Sequence, residues 1–325
     1  MDDERDVLQA VLDRYGLVGA RTELLGSLWN HVYRVETADG RRCSLRLCNP
    51  AIRQSRSVEE ELSWLEWVAG RQQVQVPRPI RNREQELVTA VPTPEGARLG
   101  CLFEWVAGEP ARGSLTPAVM RGIGQAVAGL HSMAREAGGP FEAGDFRSGY
   151  QYGSRLAASH LEWIETRRAE IGEETASLLS AAVAWLLAAL ARMGESPDKY
   201  GLIHADLHFG NFLVYGGRVS VIDFDQLGWG HYAYDFAVLQ VELRNEVEAY
   251  ATLWEDLVAG YRQVAPLPFA EEGELAAMTV AVDLAFLDWV YNSPSPAVRR
   301  QMGPRVAGTL AATTDQSCAS ARSTI

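Results

Sequence analysis

One stretch constrains this chain more than any other: residues 201–225, GLIHADLHFGNFLVYGGRVSVIDFD. Leu202 and Ile203 form a short apolar run that opens onto His204, Asp206 and Asn211. Phe212, Leu213 and Val214 make a second run, Gly216-Gly217 a tight turn, and Val219, Val221 and Ile222 a return strand that ends on Asp223. The turn makes the two inner strands antiparallel neighbours. Asn211, just before the first, and Asp223, just after the second, therefore emerge at the same end, with Asp206 in the loop beside them. An amide oxygen and carboxylates at one rim are hard oxygen donors suited to Mg²⁺. Phosphoryl transfer asks for such a set: a group to orient the incoming hydroxyl, and metal ligands to hold the triphosphate.

A rival reading is open at this point. His204, Asp206 and His208 alternate, and on a strand they would share one face that suits zinc or another transition metal. That reading leaves Asn211 and Asp223-Phe224-Asp225 without a task. The spacing His204-x-Asp206-x-x-x-x-Asn211 followed by a strand-end aspartate is instead that of the protein-kinase catalytic loop.

The wording HADLHFGN…VIDFDQLGWGHYAYDFA resembles the aminoglycoside phosphotransferase/choline kinase-like family, which includes a type of homoserine kinase, more closely than true protein kinases. The resemblance runs from about 20 to 300 and is most specific at 201–235. It implies an α+β, two-lobed protein-kinase-like fold, with a small lobe of five antiparallel strands plus a helix and a larger, mostly helical lobe. It also implies roles. Asp206 orients the acceptor hydroxyl and receives its proton, His204 supports the catalytic loop, Asn211 and Asp223 hold Mg²⁺, and Asp225 assists. The helix-start Asp235 braces the loop and is structural.

Upstream, the pattern fits a small lobe over 1–105, with 106–325 as the second domain. Residues 3–15 read as an amphipathic helix through Val7, Leu8, Val11 and Leu12. Strand, turn and strand follow over 24–35, and Asp39-Gly40 signals a two-residue hairpin before a strand at 43–47. The loop at 26–31 has a single glycine and resembles the family's nucleotide loop, G-x-x-x-N-x-x-Y-R-V, which makes Ser27 a nucleotide-side residue. Along the third strand Leu45 and Leu47 face one way, and Arg42, Ser44 and Arg46 the other. The family carries a basic residue there for the α- and β-phosphates. Here it must be Arg46, because the only lysine of the chain is Lys199.

Helix 58–69 then singles out one carboxylate. At ~100° per residue, Val58, Leu62, Leu65 and Ala69 form an apolar stripe, and of four glutamates only Glu61 falls inside it. A carboxylate on an apolar face needs a cation, and the resemblance names the same partner, Arg46. Segment 76–80 is an extended connector, 87–91 and 99–105 are strands, and 105–110 reads as a hinge. A kinase hinge reads adenine through backbone groups, which assigns Glu104 and Val106 to ATP or GTP.

From 116 on the spacing is helical, with helices near 151–168, 173–193, 246–264 and 271–291. In the family the last two wall the acceptor pocket. Asp283 and Asp288 lie there, 140° apart. Asp288, beside Trp289, is the favoured anchor for an amine by charge and cation–π contact.

Composition narrows the partners. The net charge of −12 argues against nucleic acid and accords with a cationic small-molecule alcohol. Four cysteines without metal-ligand spacing read as reduced thiols of a cytoplasmic protein. The N-terminus MDDERD lacks the marks of a signal peptide, and the apolar run near 181–191 is shorter than a membrane span, so no membrane is expected. The sequence leaves open the identity of the acceptor, the oligomeric state, and two rivals. One is a protein kinase, disfavoured by the short interval between Asp225 and Asp235; the other is a non-catalytic nucleotide-binding module, disfavoured by the retained Asp206.

Overall fold

The computed structural model describes residues 2–27, 29–49, 55–94, 96–137, 150–246, 250–270 and 272–292. The elements in chain order are α1 (Asp2–Tyr15), β1 (Arg21–Gly26), β2 (His31–Glu36), β3 (Arg42–Leu47), α2 (Ser55–Arg71), β4 (Pro79–Ile80), β5 (Thr89–Thr93), β6 (Gly96–Glu104) and β7 (Glu109–Pro110). There follow α3 (Pro117–Glu136), β8 (Tyr150–Tyr152), α4 (Ser154–Ile171), α5 (Glu173–Met193), β9 (Tyr200–Ile203), a 3₁₀ turn (Phe209–Asn211), β10 (Phe212–Tyr215), β11 (Arg218–Val221) and β12 (Gly228–His231). Three helices close the order: α6 (Tyr232–Glu246), α7 (Tyr250–Arg262) and α8 (Glu272–Asn292).

These elements form two compact units. Among the described residues the first holds 2–114, 137 and 210–225, and the second holds 115–136, 150–209 and everything from 226 on. The sequence reading cuts the chain once, between 105 and 106. By packing, the first unit is discontinuous, because the β10–β11 hairpin belongs with it.

In the first unit an antiparallel sheet runs β1-β2-β3-β6-β4, and β5 also pairs with β6. Five of its strands are the expected ones. The sixth, Pro79–Ile80, comes from the segment read as a connector, which pairs for only two residues. The Asp39-Gly40 turn is present but lies within a longer loop, 37–41, closed by the Thr37 N–H donating to the Arg41 carbonyl at 2.9 Å. Asp39 explains the extra length, since its carboxylate accepts from Thr37 and Arg41.

One sheet face carries Tyr33, Val35, Cys43, Leu45 and Leu47 and is closed by Val7, Leu8, Val11 and Leu12 of α1. Strand alternation sends Arg46 to the opposite face, where α2 buries Val58, Leu62, Trp64, Leu65 and Val68. A second small sheet, β11-β10-β7, contains the hairpin. Gly216 and Gly217 both adopt positive φ, 55° and 77°. A two-residue turn of that hand matches the twist of its strands and excludes most side chains.

In the second unit β12 pairs antiparallel with β9 and parallel with β8. Helices α3 and α7 cross closely because glycines meet the partner backbone. A Cβ on Gly124 would lie 2.0 Å from the Leu257 carbonyl, and one on Gly260 2.1 Å from that of Arg121. Helix α5 is 21 residues long, longer than the run noted in the sequence, and by length and composition alone it matches a membrane span. It packs against α4 and α8, burying Leu179, Val183, Leu186 and Leu190. The sequence also reads as a loop over 137–150 and a Ser/Thr/Ala-rich tail over 312–325; of these, 138–149 and the tail lie outside the described residues.

Candidate active site

The hairpin register sets the positions of Asn211 and Asp223 in the first unit. Phe212 pairs with Val221, so Asn211 and Ile222 are the next opposed positions, and the Ile222 N–H donates to the Asn211 carbonyl at 2.9 Å. Asn211 is buried; Asp223, one residue beyond Ile222, is exposed. Asp223 sits at φ 64°, in the left-handed region that few residues other than glycine, asparagine and aspartate occupy outside functional sites. The next residue, Phe224, is buried as an anchor, and the half-buried Asp225 follows it. The Asn30 amide Nδ2 donates to Asp225 Oδ2 at 2.9 Å. The Asn30 Oδ1 accepts from the Asn49 N–H at 3.1 Å.

The ion pair expected on the α2 face is present. Arg46 Nη1 lies 2.9 Å from Glu61 Oε1, and Nη2 donates to Glu61 Oε2 at 3.0 Å, a charge-assisted hydrogen bond. The residues are 5% and 1% exposed, and the guanidinium carbon lies 5.5 Å from the Phe103 ring centroid. The Arg46 Nε is buried without a hydrogen-bond partner. Ser27 is exposed just after β1; Glu104 ends β6 with its N–H on the Arg78 carbonyl at 2.8 Å; Val106 is half-buried in the segment before β7. Lys199, in the second unit, pairs with Glu274 at 2.6 Å.

In the second unit β9 delivers the chain to His204, Ala205 and Asp206. The buried Asp235 in the first turn of α6 accepts from the His204 N–H at 3.1 Å and the Ala205 N–H at 2.7 Å. This brace holds Ala205 at φ 65°, a conformation an alanine adopts only when its surroundings over-determine it. His131 Nε2 bonds the same carboxylate at 3.0 Å, and its Nδ1 lies 3.0 Å from the Tyr261 hydroxyl. Burial, the largest influence on His131, lowers its pKa despite Asp235, so the ring is neutral near pH 7. Its Nε2–H then donates to Asp235, while Nδ1 accepts from the Tyr261 hydroxyl. Further on, the Asp206 N–H donates to His204 Nδ1 at 3.3 Å, and the His208 N–H to the Asp206 carbonyl at 2.9 Å. The loop is thus fixed through its backbone, and the half-buried Asp206 carboxylate is presented on it, 3.7 Å from His208 Nε2.

On α8 the two aspartates part as their angular offset requires. Asp288 is half-buried and acts electrostatically on His160 of α4. Asp283 faces α6, within electrostatic reach of Tyr234 and Arg244. Burial raises its carboxyl to about 6, with Arg244 opposing the shift. The charges of Asp206 and Asp283 both act on the buried Tyr234. Asp283, which the sequence ranked second, thus shares Tyr234 with Asp206. Trp289 is 36% exposed and stacks on Phe286 with ring centroids 5.7 Å apart.

Sequence reasoning passed over Asn30 and His131. Asn30 carried a signal, the N of the G-x-x-x-N loop; His131 carried none beyond its place on the apolar face of α3.

The comparisons with known proteins agree with this architecture. Over 263 residues the sequence is 27% identical to amicoumacin kinase of Bacillus subtilis (strain 168), covering 78% of this chain and 70% of that one. The structure of a microcompartment-associated aminopropanol kinase is 29% identical, with a TM-score of 0.71 over 97% of this chain and 95% of the other. The amicoumacin kinase hAmiN, in complex with AMP-PNP, Ca²⁺ and Ami, gives a TM-score of 0.78 at 19% identity, over 97% and 93%. The expected protein-kinase-like phosphotransferase fold is borne out by these likenesses. Residues 21–267 match the phosphotransferase enzyme family (APH). The chain belongs to that family and is a phosphotransferase with a hydroxyl group as acceptor.

Proposed function

We propose that this enzyme moves the γ-phosphoryl group of ATP to a hydroxyl of a small, amine-bearing alcohol. The observation that carries the reading is the continuous stretch 204–223. A backbone-pinned loop presents Asp206, and the hairpin register sets Asn211 beside Ile222-Asp223. In this reading Asp206 accepts the proton of the attacking hydroxyl at its carboxylate, and His204 keeps the loop in shape. Arg46, oriented by Glu61, contacts the phosphates; Ser27 lies at the nucleotide loop, and Glu104 and Val106 offer backbone groups to the base.

The donor set fits Mg²⁺. It comprises the Asn211 amide oxygen and the Asp223 and Asp225 carboxylates, hard ligands that leave positions for phosphate and water oxygens. When bound, the ion supplies charge neutralisation at the β- and γ-phosphate oxygens. Asn211→Ala and Asp223→Ala are each expected to raise the Mg²⁺ concentration needed for half-maximal rate at fixed ATP. An unchanged metal dependence in both variants removes them from the ligand set.

The amine preference draws on the names of the relatives, two amicoumacin kinases and an aminopropanol kinase, on the net charge of −12, and on Asp283. Only an ionised carboxylate attracts an ammonium. With a carboxyl pKa of about 6, that attraction is present above pH 6 and is lost as pH falls through it. Asp283→Asn is expected to raise the acceptor KM about tenfold, one charge-assisted contact, with KM for ATP unchanged and the acid-side rise in acceptor KM flattened. Asp288→Asn is expected to do neither. The reading as a whole is tested by ADP release with MgATP across amino alcohols, aminoglycosides, hydroxy amino acids and neutral alcohols. Turnover of neutral or anionic alcohols alone would refute the amine; no turnover of any alcohol would refute the kinase.

A further inference from the structure

Asn30 lies four positions beyond Gly26, the last residue of β1, and directly before β2. Its side chain joins two distant parts of the first unit. The Nδ2 group donates to Asp225 Oδ2 at 2.9 Å, across 195 residues of sequence. The Oδ1 accepts at 3.1 Å from the N–H of Asn49, just past the end of β3. The two partners fix the orientation of the amide. A backbone N–H can only face the oxygen, and a carboxylate oxygen can only accept from the NH₂. The arrangement needs a donor and an acceptor a fixed distance apart on one short side chain, which an aspartate, serine or alanine cannot supply.

We propose that Asn30 is a positioning residue that clasps the loop between β1 and β2 to Asp225 and so couples nucleotide binding to the metal. The proposal rests on the reading of Asp225 as a metal-side carboxylate. The physical basis is the division of labour at that carboxylate. A carboxylate has two oxygens, and a donor on Oδ2 sets the plane in which Oδ1 lies. A ligand fixed in this way binds a cation without first losing rotational freedom, which is how outer-shell hydrogen bonds raise metal affinity. The same bond carries the loop. When the metal-bearing nucleotide draws on Asp225, Asn30 holds the loop against it, and Asn49 anchors Asn30 to β3, two residues beyond Leu47 on the strand that carries Arg46. The bond to an ionised partner is of the stronger kind.

The test uses the full-length enzyme and a fluorescent ADP analogue, titrated with 5 mM EDTA and separately with about 5 mM Mg²⁺, a spread chosen to saturate a typical weakly held Mg²⁺. Asn30→Ala is expected to weaken binding of the Mg²⁺ form about tenfold, the loss of one charge-assisted hydrogen bond, and that of the metal-free form less than about twofold on the same scale. In an Asp225→Ala background the further change Asn30→Ala is expected to do nothing, because the group through which it acts is gone. Equal weakening of both nucleotide forms, or an undiminished effect in the Asp225→Ala background, overturns the proposal, since a loop that is merely loosened would behave in that way. Asn30→Ser gives the same ratio should the alanine variant not fold. Wild-type binding that ignores Mg²⁺ would instead strike at the phosphotransferase site as read here, so the two failures are distinguishable.

Discussion

Asp206→Asn is expected to lower kcat by at least ~10²-fold, the lower range for a positioned base, and to leave the fold and the Kd for nucleotide unchanged. The reason lies in how the loop is held. Two of its contacts run through the Asp206 backbone, the N–H to His204 Nδ1 and the carbonyl from the His208 N–H, and neither of these uses the carboxylate. The amide is isosteric, so the frame survives. It removes only the capacity to accept a proton from the attacking hydroxyl. Measuring kcat and nucleotide Kd on the same preparation, with a melting curve as the fold control, separates this from general damage. Near-normal turnover would end the assignment of Asp206 as base.

The second large effect is expected at the buried ion pair. Arg46→Ala leaves Glu61, 1% exposed, as an uncompensated carboxylate, at a cost of about 3–5 kcal/mol in stability. Such a loss is a large share of what a domain has, and the single variant will report folding more than binding. The double variant Arg46→Met/Glu61→Leu removes both charges, keeps the volume apolar, and is expected to recover most of that stability. Nucleotide affinity is not expected to return with it. Urea denaturation gives the first half of this result and titration with MgADP the second. A double variant that folds and still binds MgADP normally would show that the pair serves the fold alone.

Asp235 marks where the two kinds of cost would merge. Its carboxylate accepts the His204 and Ala205 N–H groups and the His131 ring N–H. It therefore carries the strained Ala205 as well as a buried histidine, and no conservative change keeps all three acceptor positions.

How much of this was legible in the sequence depends on distance along the chain. The hairpin was, because a two-glycine turn and period-2 apolar runs are local facts. From them follow the register of Phe212 with Val221 and the meeting of Asn211 with the 222–223 strand end. The Arg46–Glu61 pair was also legible, from two local periodicities taken together: alternation on β3 sends Arg46 away from Leu45 and Leu47, and the helical angle puts Glu61 alone inside the α2 stripe. Each periodicity needs only a few residues.

What the tertiary structure alone decided involves partners that sequence spacing does not bring together. Asn30 meets Asp225 across 195 residues, His131 meets Asp235 across 104, and no local pattern selects either partner. The choice between Asp283 and Asp288 is of the same kind. The sequence fixes their 140° separation, yet which of the two shares Tyr234 with Asp206 depends on the rotation of α8 about its axis. That rotation is set by packing against α6 on one side and α4 and α5 on another, where the burial of Leu284, Leu287 and Val290 outweighs the preference of either carboxylate for solvent.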